Sequence, residues 1–238
     1  LKALTDAAHE RGIAVIVDLV WNQVHASHAY VSDQPDWFRG DGACVCGSPG
    51  CDWDERALDC WFADYLPDVD WRRTDVPDAF VSDARWWLTE GGVDGFRVDA
   101  VKHMEDVAVT TLRHAVAAED LYLVGETFTG AEGRELLARY VGPHRLHGQF
   151  DFPLFWTAVA ALMGRDATLT DLASATEASA VAYPSRWMSP FLGNHDVERL
   201  IGRAPEAEAV DRARLAFAWL LTQPGVPLLY YGDEVGLP

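Results

Sequence analysis

The densest chemistry in the sequence lies in Gly95-Phe96-Arg97-Val98-Asp99-Ala100-Val101-Lys102-His103. In an extended strand, residues two apart project to the same side, so Arg97 and Asp99 face one way. A guanidinium beside a carboxylate keeps it ionised and oriented, which suits a nucleophile. A structural ion pair at a strand end would use the same two residues. The pair does not stand alone. Gly125-Glu126-Thr127 and Gly193-Asn194-His195-Asp196 each end another strand-like stretch, so three carboxylates arrive at strand ends. The chain has two asparagines, Asn22 and Asn194, and both fall beside an Asp or His at such positions.

Short apolar runs at residues 13–20, 93–98, 121–124, 186–192 and 226–231 read as strands, with a weaker one at 148–152. Stretches long enough for helices separate them, among them 77–90, 105–118 and 206–221. Residues 1–11 have helical spacing, and Gly12 follows as a C-cap. Such alternation predicts a parallel sheet with crossover helices. Asp18, Arg97, Asp99, Glu126, Asp151 and Asp196 all sit at or just beyond strand C-termini. Polar groups from many successive strands converge in a barrel, whereas an open sheet places its site at one switch point. From about residue 22 to 71 the rhythm breaks into Gly, Pro, four cysteines and four tryptophans, with Trp21 just before it, which reads as an inserted loop-rich subdomain.

With 238 residues, 49% hydrophobic and 24% charged, the chain has the composition of a globular protein able to bury a sizeable core. Nineteen Lys and Arg against 37 Asp and Glu give a formal charge of −18, a field that repels phosphate backbones and argues against a nucleic-acid partner. No apolar run approaches the roughly 18 to 20 residues needed to span a bilayer.

In order along the chain, six separated motifs resemble those of the α-amylase family of α-glucan-acting glycoside hydrolases. Asp18-Leu19-Val20-Trp21-Asn22 resembles the first conserved region, and Leu66-Pro67-Asp68-Val69-Asp70 the short motif closing the inserted domain. The stretch from Gly95 to His103, the Gly125-Glu126-Thr127 strand end and the stretch from Phe191 to Asp196 resemble the second, third and fourth regions. The run Gly225-Val226-Pro227-Leu228-Leu229-Tyr230-Tyr231-Gly232-Asp233-Glu234 resembles the motif on the last barrel strand.

The resemblance implies a partial (β/α)8 TIM barrel holding strands 3 to 8, with an inserted subdomain after strand 3. Residues 1–22 would be helix 2 and strand 3, residues 23–71 the subdomain, and residues 72–238 helix 3 to strand 8. The chain opens inside a helix and stops just after a strand, so it reads as a piece of a longer protein, without strands 1 and 2 or a C-terminal domain. By motif position Asp99 would be the nucleophile, Glu126 the general acid and then base, and Asp196 the carboxylate stabilising the transition state. Arg97 would orient Asp99, His195 would bond the same sugar, and Lys102 and His103 would contact the glucose on the leaving-group side. Asp18 and Gln23, from the first region, join the substrate-binding set. Gln23 departs from the family pattern, which has His there; Gln can still donate a hydrogen bond but cannot become cationic.

These roles fit the residues. A retaining glycosidase needs two carboxyls roughly 5 to 5.5 Å apart, one ionised and one protonated. Arg97 keeps Asp99 charged, and burial near other carboxylates is expected to let Glu126 hold a proton. The implied activity is hydrolysis of α-1,4 bonds in starch, glycogen or maltodextrins by a protein monomeric in its full-length form. A glucanotransferase of the same family and a non-catalytic glucan-binding relative are the alternatives. The family also implies a structural Ca²⁺, with Asn22 and Asp68 giving side-chain oxygens, His103 its backbone carbonyl, and an acidic residue near Asp59 completing the set. Cys44, Cys46, Cys51 and Cys60 suggest two disulfides or a zinc site. Their spacing matches neither common zinc pattern and leaves three disulfide connectivities. Disulfides are favoured because polymeric glucan is met outside the cytoplasm, which points to a secreted or periplasmic protein.

Overall fold

The computed structural model describes residues 1–40, 42–117 and 121–237, in two compact units. The first comprises Leu1–Glu126 and Pro143–Leu146, the second Thr127–Gly142 and His147–Pro238.

The first unit opens with α1 (Lys2–His9), whose inward Thr5 donates to Gly91 O at 2.8 Å. Three four-residue strands follow: β1 (Ile16–Leu19), β2 (Gly95–Val98) and β3 (Tyr122–Gly125). They pair in parallel in the order β1-β2-β3, with Asp18 opposite Arg97 and Arg97 opposite Val124. All four residues of β2 are buried, as expected for a strand covered on both faces. At Gly95 a Cβ would lie 2.0 Å from Tyr122 O, so the close approach of β2 to β3 admits no side chain. The first predicted strand is trimmed to β1 because Val15 N–H donates to the Asp94 carboxylate rather than to the ladder.

Between β1 and β2 lie a short helix α2 (Ala29–Asp33) and the crossover helix α3 (Val76–Thr89), which has Pro77 in its first turn where the missing N–H costs nothing. Between β2 and β3 runs α4 (Asp106–Ala115). The predicted helix 105–118 is thus confirmed in its body, and its last residue, Ala118, lies outside the described residues.

Residues 23–71 fall inside the first unit. Antiparallel bridges Gln23↔Asp68 and Phe38↔Val69 join the two ends of this segment. Trp21 and Trp71 stack at 4.9 Å, and Phe80 of α3 packs against both, which ties the segment to the strand and helix flanking it. Cys44–Cys51 and Cys46–Cys60 are disulfides, leaving no free cysteine for zinc among the described residues.

The second unit contains α5 (Arg134–Arg139), β4 (Gly148–Gln149), α6 (Phe152–Leu162), α7 (Leu169–Ala182) and α8 (Ala209–Leu220). Here the sequence expectation needs correction. The predicted strands 186–192 and 226–231 shrink to the parallel bridges Phe150↔Ser189 and Phe191↔Leu228. Pro190 and Pro227 remove N–H donors and split the ladder into isolated bonds, such as Ser189 N–H to Gln149 O at 2.9 Å and Leu228 N–H to Pro190 O at 3.0 Å. Neither α6 nor α7 was singled out from sequence. Helix α6 is apolar nearly all round and is capped by Asp151, which accepts from Leu154 N–H. Helix α7 starts with a Thr168/Asp171 capping box. The unit packs around Phe152, Phe155 and Phe191, the last two stacked at 4.6 Å, and a second cluster of Leu137, Val141, Tyr183 and Met188.

Candidate active site

In the first unit Arg97 gathers the carboxylates. Its Nη1 donates to Asp18 Oδ1 at 2.9 Å and to Asp99 Oδ1, while Nη2 lies 3.9 Å from Glu126 Oε2. The β1-β2 register and the two-residue spacing of the strand supply the first two contacts, and β3 supplies the third. Burial works against the guanidinium charge, but Asp99, then Asp18 and Glu126, more than offset it, and the Arg97 pKa is raised. The carboxylates differ in setting. Glu126 is buried with a side chain 8% exposed, whereas Asp18 is 53% exposed.

Backbone conformation completes the arrangement. Ala100 is left-handed, with φ +50°, the one such non-glycine among the described residues. A residue with a Cβ costs roughly 1 to 2 kcal/mol there. This turn lets Ala100 N–H donate to Glu126 Oε2 at 3.2 Å and Val101 N–H to Glu126 O at 2.8 Å, so the end of β2 clamps the end of β3. A carboxylate oriented by a guanidinium beside a buried carboxyl is an arrangement suited to acid–base and nucleophilic work on a neutral substrate.

Lys102 and His103 continue from this turn. Lys102 Nζ donates to Asp54 Oδ1 at 2.6 Å. The His103 ring is buried, donates through Nδ1 to Ala57 O at 2.9 Å and packs against Phe62 and Trp53. In this structure the ring, expected from sequence to touch substrate, meets Trp53, Ala57 and Phe62. Burial pushes its pKa down to about 4, so the ring is neutral.

Asn22 and Asp68 meet as a buried pair, Asn22 Nδ2 donating to Asp68 Oδ1 at 3.0 Å. Asp68 Oδ2 is buried with no hydrogen-bond partner, and burial pushes the Asp68 pKa up to about 8. A buried carboxylate with one idle oxygen beside an amide suits a hard cation, which would supply the missing charge. The neighbouring Gln23 Oε1 is also buried without a partner. Asp59 is half-exposed and lies 3.8 Å from Arg56.

In the second unit, Asn194 Oδ1 accepts the N–H of Asp196 at 2.9 Å, a turn that presents His195 and Asp196 to solvent. His195 Nε2 lies 3.4 Å from Asp196 Oδ2. Behind the turn stands Asp233, buried and bonded by Arg199 Nη1 at 3.2 Å. Gly193 allows this approach, since a Cβ there would meet Asp233 Oδ2 at 2.9 Å. Sequence reasoning quoted Asp233 within a motif but gave it no role, and it passed over Arg199 and Asp54. The acidic residue in the Tyr230-Tyr231-Gly232-Asp233 run was the available signal for Asp233; nothing local marked Asp54.

Comparison with known proteins accords with this geometry. The family profile described as alpha-amylase, catalytic domain matches residues 1–238. The intracellular maltogenic amylase of Bacillus subtilis is 25% identical over 250 residues, covering 99% of this chain and 40% of that protein. The alpha-amylase of Saccharomycopsis fibuligera is 26% identical over 254 residues, covering 100% of this chain and 48% of that protein. Among solved structures, alpha-amylase from Geobacillus thermoleovorans in complex with acarbose superposes with a TM-score of 0.86 at 28% identity, covering 99% of this chain and 53% of that one. The chain thus spans about half the length of the relatives it matches, and its fold is part of a (β/α)8 barrel.

Proposed function

The chain belongs to the alpha-amylase catalytic-domain family, and on that premise we propose that it cleaves internal α-1,4-glucosidic bonds of starch, glycogen or maltodextrins with retention. The observation that carries the reading is the single buried guanidinium of Arg97 shared by Asp18, Asp99 and Glu126 at adjoining strand ends. Asp99, oriented by Arg97, attacks the anomeric carbon, and the bond to the leaving oxygen breaks as Glu126 gives that oxygen its proton. Glu126, now a carboxylate, then takes a proton from water, whose oxygen displaces Asp99 from the sugar. Glu126 is the buried carboxyl of the pair, and it takes the acid role on the strength of its motif. Asp196 takes the role of transition-state carboxylate and His195 that of a sugar contact, both on the strength of their motif. Asp18 and Gln23 contribute polar contacts to the bound sugar.

Asn22 and Asp68 would hold a structural Ca²⁺ together with the His103 carbonyl. The idle, buried Asp68 oxygen supports this, and Asp59 is the acidic residue that would complete the set. When bound, the ion would supply the positive charge that keeps Asp68 ionised. We read residues 23–71 as the inserted subdomain. Its two disulfides support a compartment outside the cytoplasm, against which stands the intracellular designation of the Bacillus subtilis relative.

The test is digestion of soluble starch and maltoheptaose by the complete protein, with products resolved by length and anomer and Asp99→Asn as the blank. Shorter α-anomeric products that vanish in the variant are expected. Products longer than the substrate would reassign the protein as a transferase, and no release of sugar would overturn the catalytic reading.

A further inference from the structure

Residues 44–61 are tied to one another by a backbone bridge and two disulfides. Val45 and Trp61 pair as a parallel bridge, with Cys46 N–H donating to Trp61 O at 2.8 Å and Trp61 N–H to Cys44 O at 2.9 Å. Two disulfides, Cys44–Cys51 and Cys46–Cys60, close the same loop. Within it, Asp52 Oδ1 accepts the N–H groups of Asp54 at 2.8 Å and Glu55 at 3.0 Å, which fixes the turn.

The turn delivers groups to the two residues that follow the Asp99 strand end. Asp54 takes the Lys102 ammonium at 2.6 Å, Ala57 O takes His103 Nδ1–H at 2.9 Å, and Trp53 lies edge-on to the His103 ring at 5.9 Å. The burial is lopsided. The Lys102 side chain is only 11% exposed, whereas Asp54 is 78% exposed. An ion pair with so exposed a partner adds little to the stability of a fold. What it does is choose where a long, rotatable ammonium stands, because the lysine stem alone leaves several rotamers open.

We propose that Asp54 is a positioning residue for the leaving-group side of the site. It holds Lys102 where the ammonium meets hydroxyls of the glucose beyond the scissile bond, and the Cys46–Cys60 bridge holds Asp54 in turn. The proposal rests on the reading above that Lys102 contacts that glucose. It assigns a substrate-recognition role to a loop whose sequence has no catalytic motif.

The experiment compares kcat/KM on maltoheptaose with that on 4-nitrophenyl α-maltoside, whose phenolate leaving group has no hydroxyls for an ammonium to grip. For Asp54→Asn, the maltoheptaose value falls about tenfold, mainly through KM, while the aryl maltoside value stays within about twofold. Lys102→Met gives the same split, and the double variant is no worse than either single one, since both remove one contact. Replacing Cys46 and Cys60 together by Ser shifts the ratio in the same direction. Thermal unfolding of Asp54→Asn, measured alongside, stays close to that of the unaltered protein. Equal losses on both substrates, additive losses in the double variant, or no loss in Asp54→Asn would overturn the proposal. If the unaltered protein cleaves neither substrate, or Asp99→Asn keeps its activity, the catalytic reading itself falls and takes this one with it.

Discussion

Replacing Arg97 by Met keeps most of the side-chain volume and removes the one charge shared by three carboxylates. Its magnitude can be worked from the geometry. At an effective dielectric constant of about 20, a unit charge about 4 Å from an ionised carboxylate is worth about 4 kcal/mol, which sets the scale of the Asp99 contact; Glu126, protonated as the general acid, adds little. The Asp18 contact, although 2.9 Å long, is discounted to about 1 kcal/mol or less because that carboxylate is 53% exposed. Desolvation of Arg97 itself cancels part of the sum, and breaking a buried pair by removing one partner generally costs about 3 to 5 kcal/mol. Arg97→Met is therefore expected to lose about 3 to 5 kcal/mol of stability at pH 7 in urea unfolding. It is also expected to lose kcat by at least about a thousandfold on maltoheptaose, since Asp99 is left without its orienting partner. Arg97→Lys should recover part of the stability and little of the kcat, because one ammonium cannot fork to Asp18, Asp99 and Glu126 at once. A variant that loses less than about 1 kcal/mol and keeps activity within tenfold would refute this account of the cluster.

Two further outcomes follow from the buried groups near this cluster. Calcium at about a hundred times its Kd should stabilise the protein by about 2.7 kcal/mol over chelator-treated protein in thermal unfolding. Asp68→Asn should lose that gain while remaining at least as stable as the original without metal, because the amide keeps the acceptor for Asn22 and no longer buries an ionisable group; an undiminished calcium response in the variant would remove Asp68 from the ligand set. His103 supplies a pH test, its pKa lying at about 4 against an ordinary 6.5. The unfolded chain takes up the proton first on acidification, so its contribution is present above pH 6.5 and is lost as pH falls from 6.5 towards 4, by roughly 3 kcal/mol. His103→Gln should flatten that part of the urea-midpoint profile, and an unchanged slope would show that the ring is not buried neutral.

The strands carrying the first two carboxylates were legible because the signals there are local. The 93–98 and 121–124 runs are apolar, bounded by Gly, and lie one crossover helix apart, and they fold as β2 and β3 with Arg97 and Asp99 on one side. Legibility failed where proline punctuates the strand runs, at Pro190 and Pro227, and where helices lack an amphipathic period. Helix α6 is apolar on nearly every face because it is buried by neighbours on all sides, so periodicity could not reveal it. The disulfide pairing was likewise open, since three connectivities fit the spacing equally well and only folding of the loop selects Cys44–Cys51 and Cys46–Cys60.

What the sequence alone determined was residue type and order. Three carboxylates at strand ends, an Arg two residues before one of them, and motifs in a fixed succession reduce the chemistry to a few possibilities, because strand periodicity carries side-chain direction within a single element. What only the tertiary structure decided was contact between elements. The β1-β2 register sets Asp18 against Arg97 across 79 residues of chain, a left-handed Ala100 turns its N–H onto Glu126, and a disulfide-closed loop sets Asp54 on Lys102. These contacts join positions whose separation along the chain carries no period, so they arise from packing, where burial and hydrogen-bond satisfaction choose one partner among many.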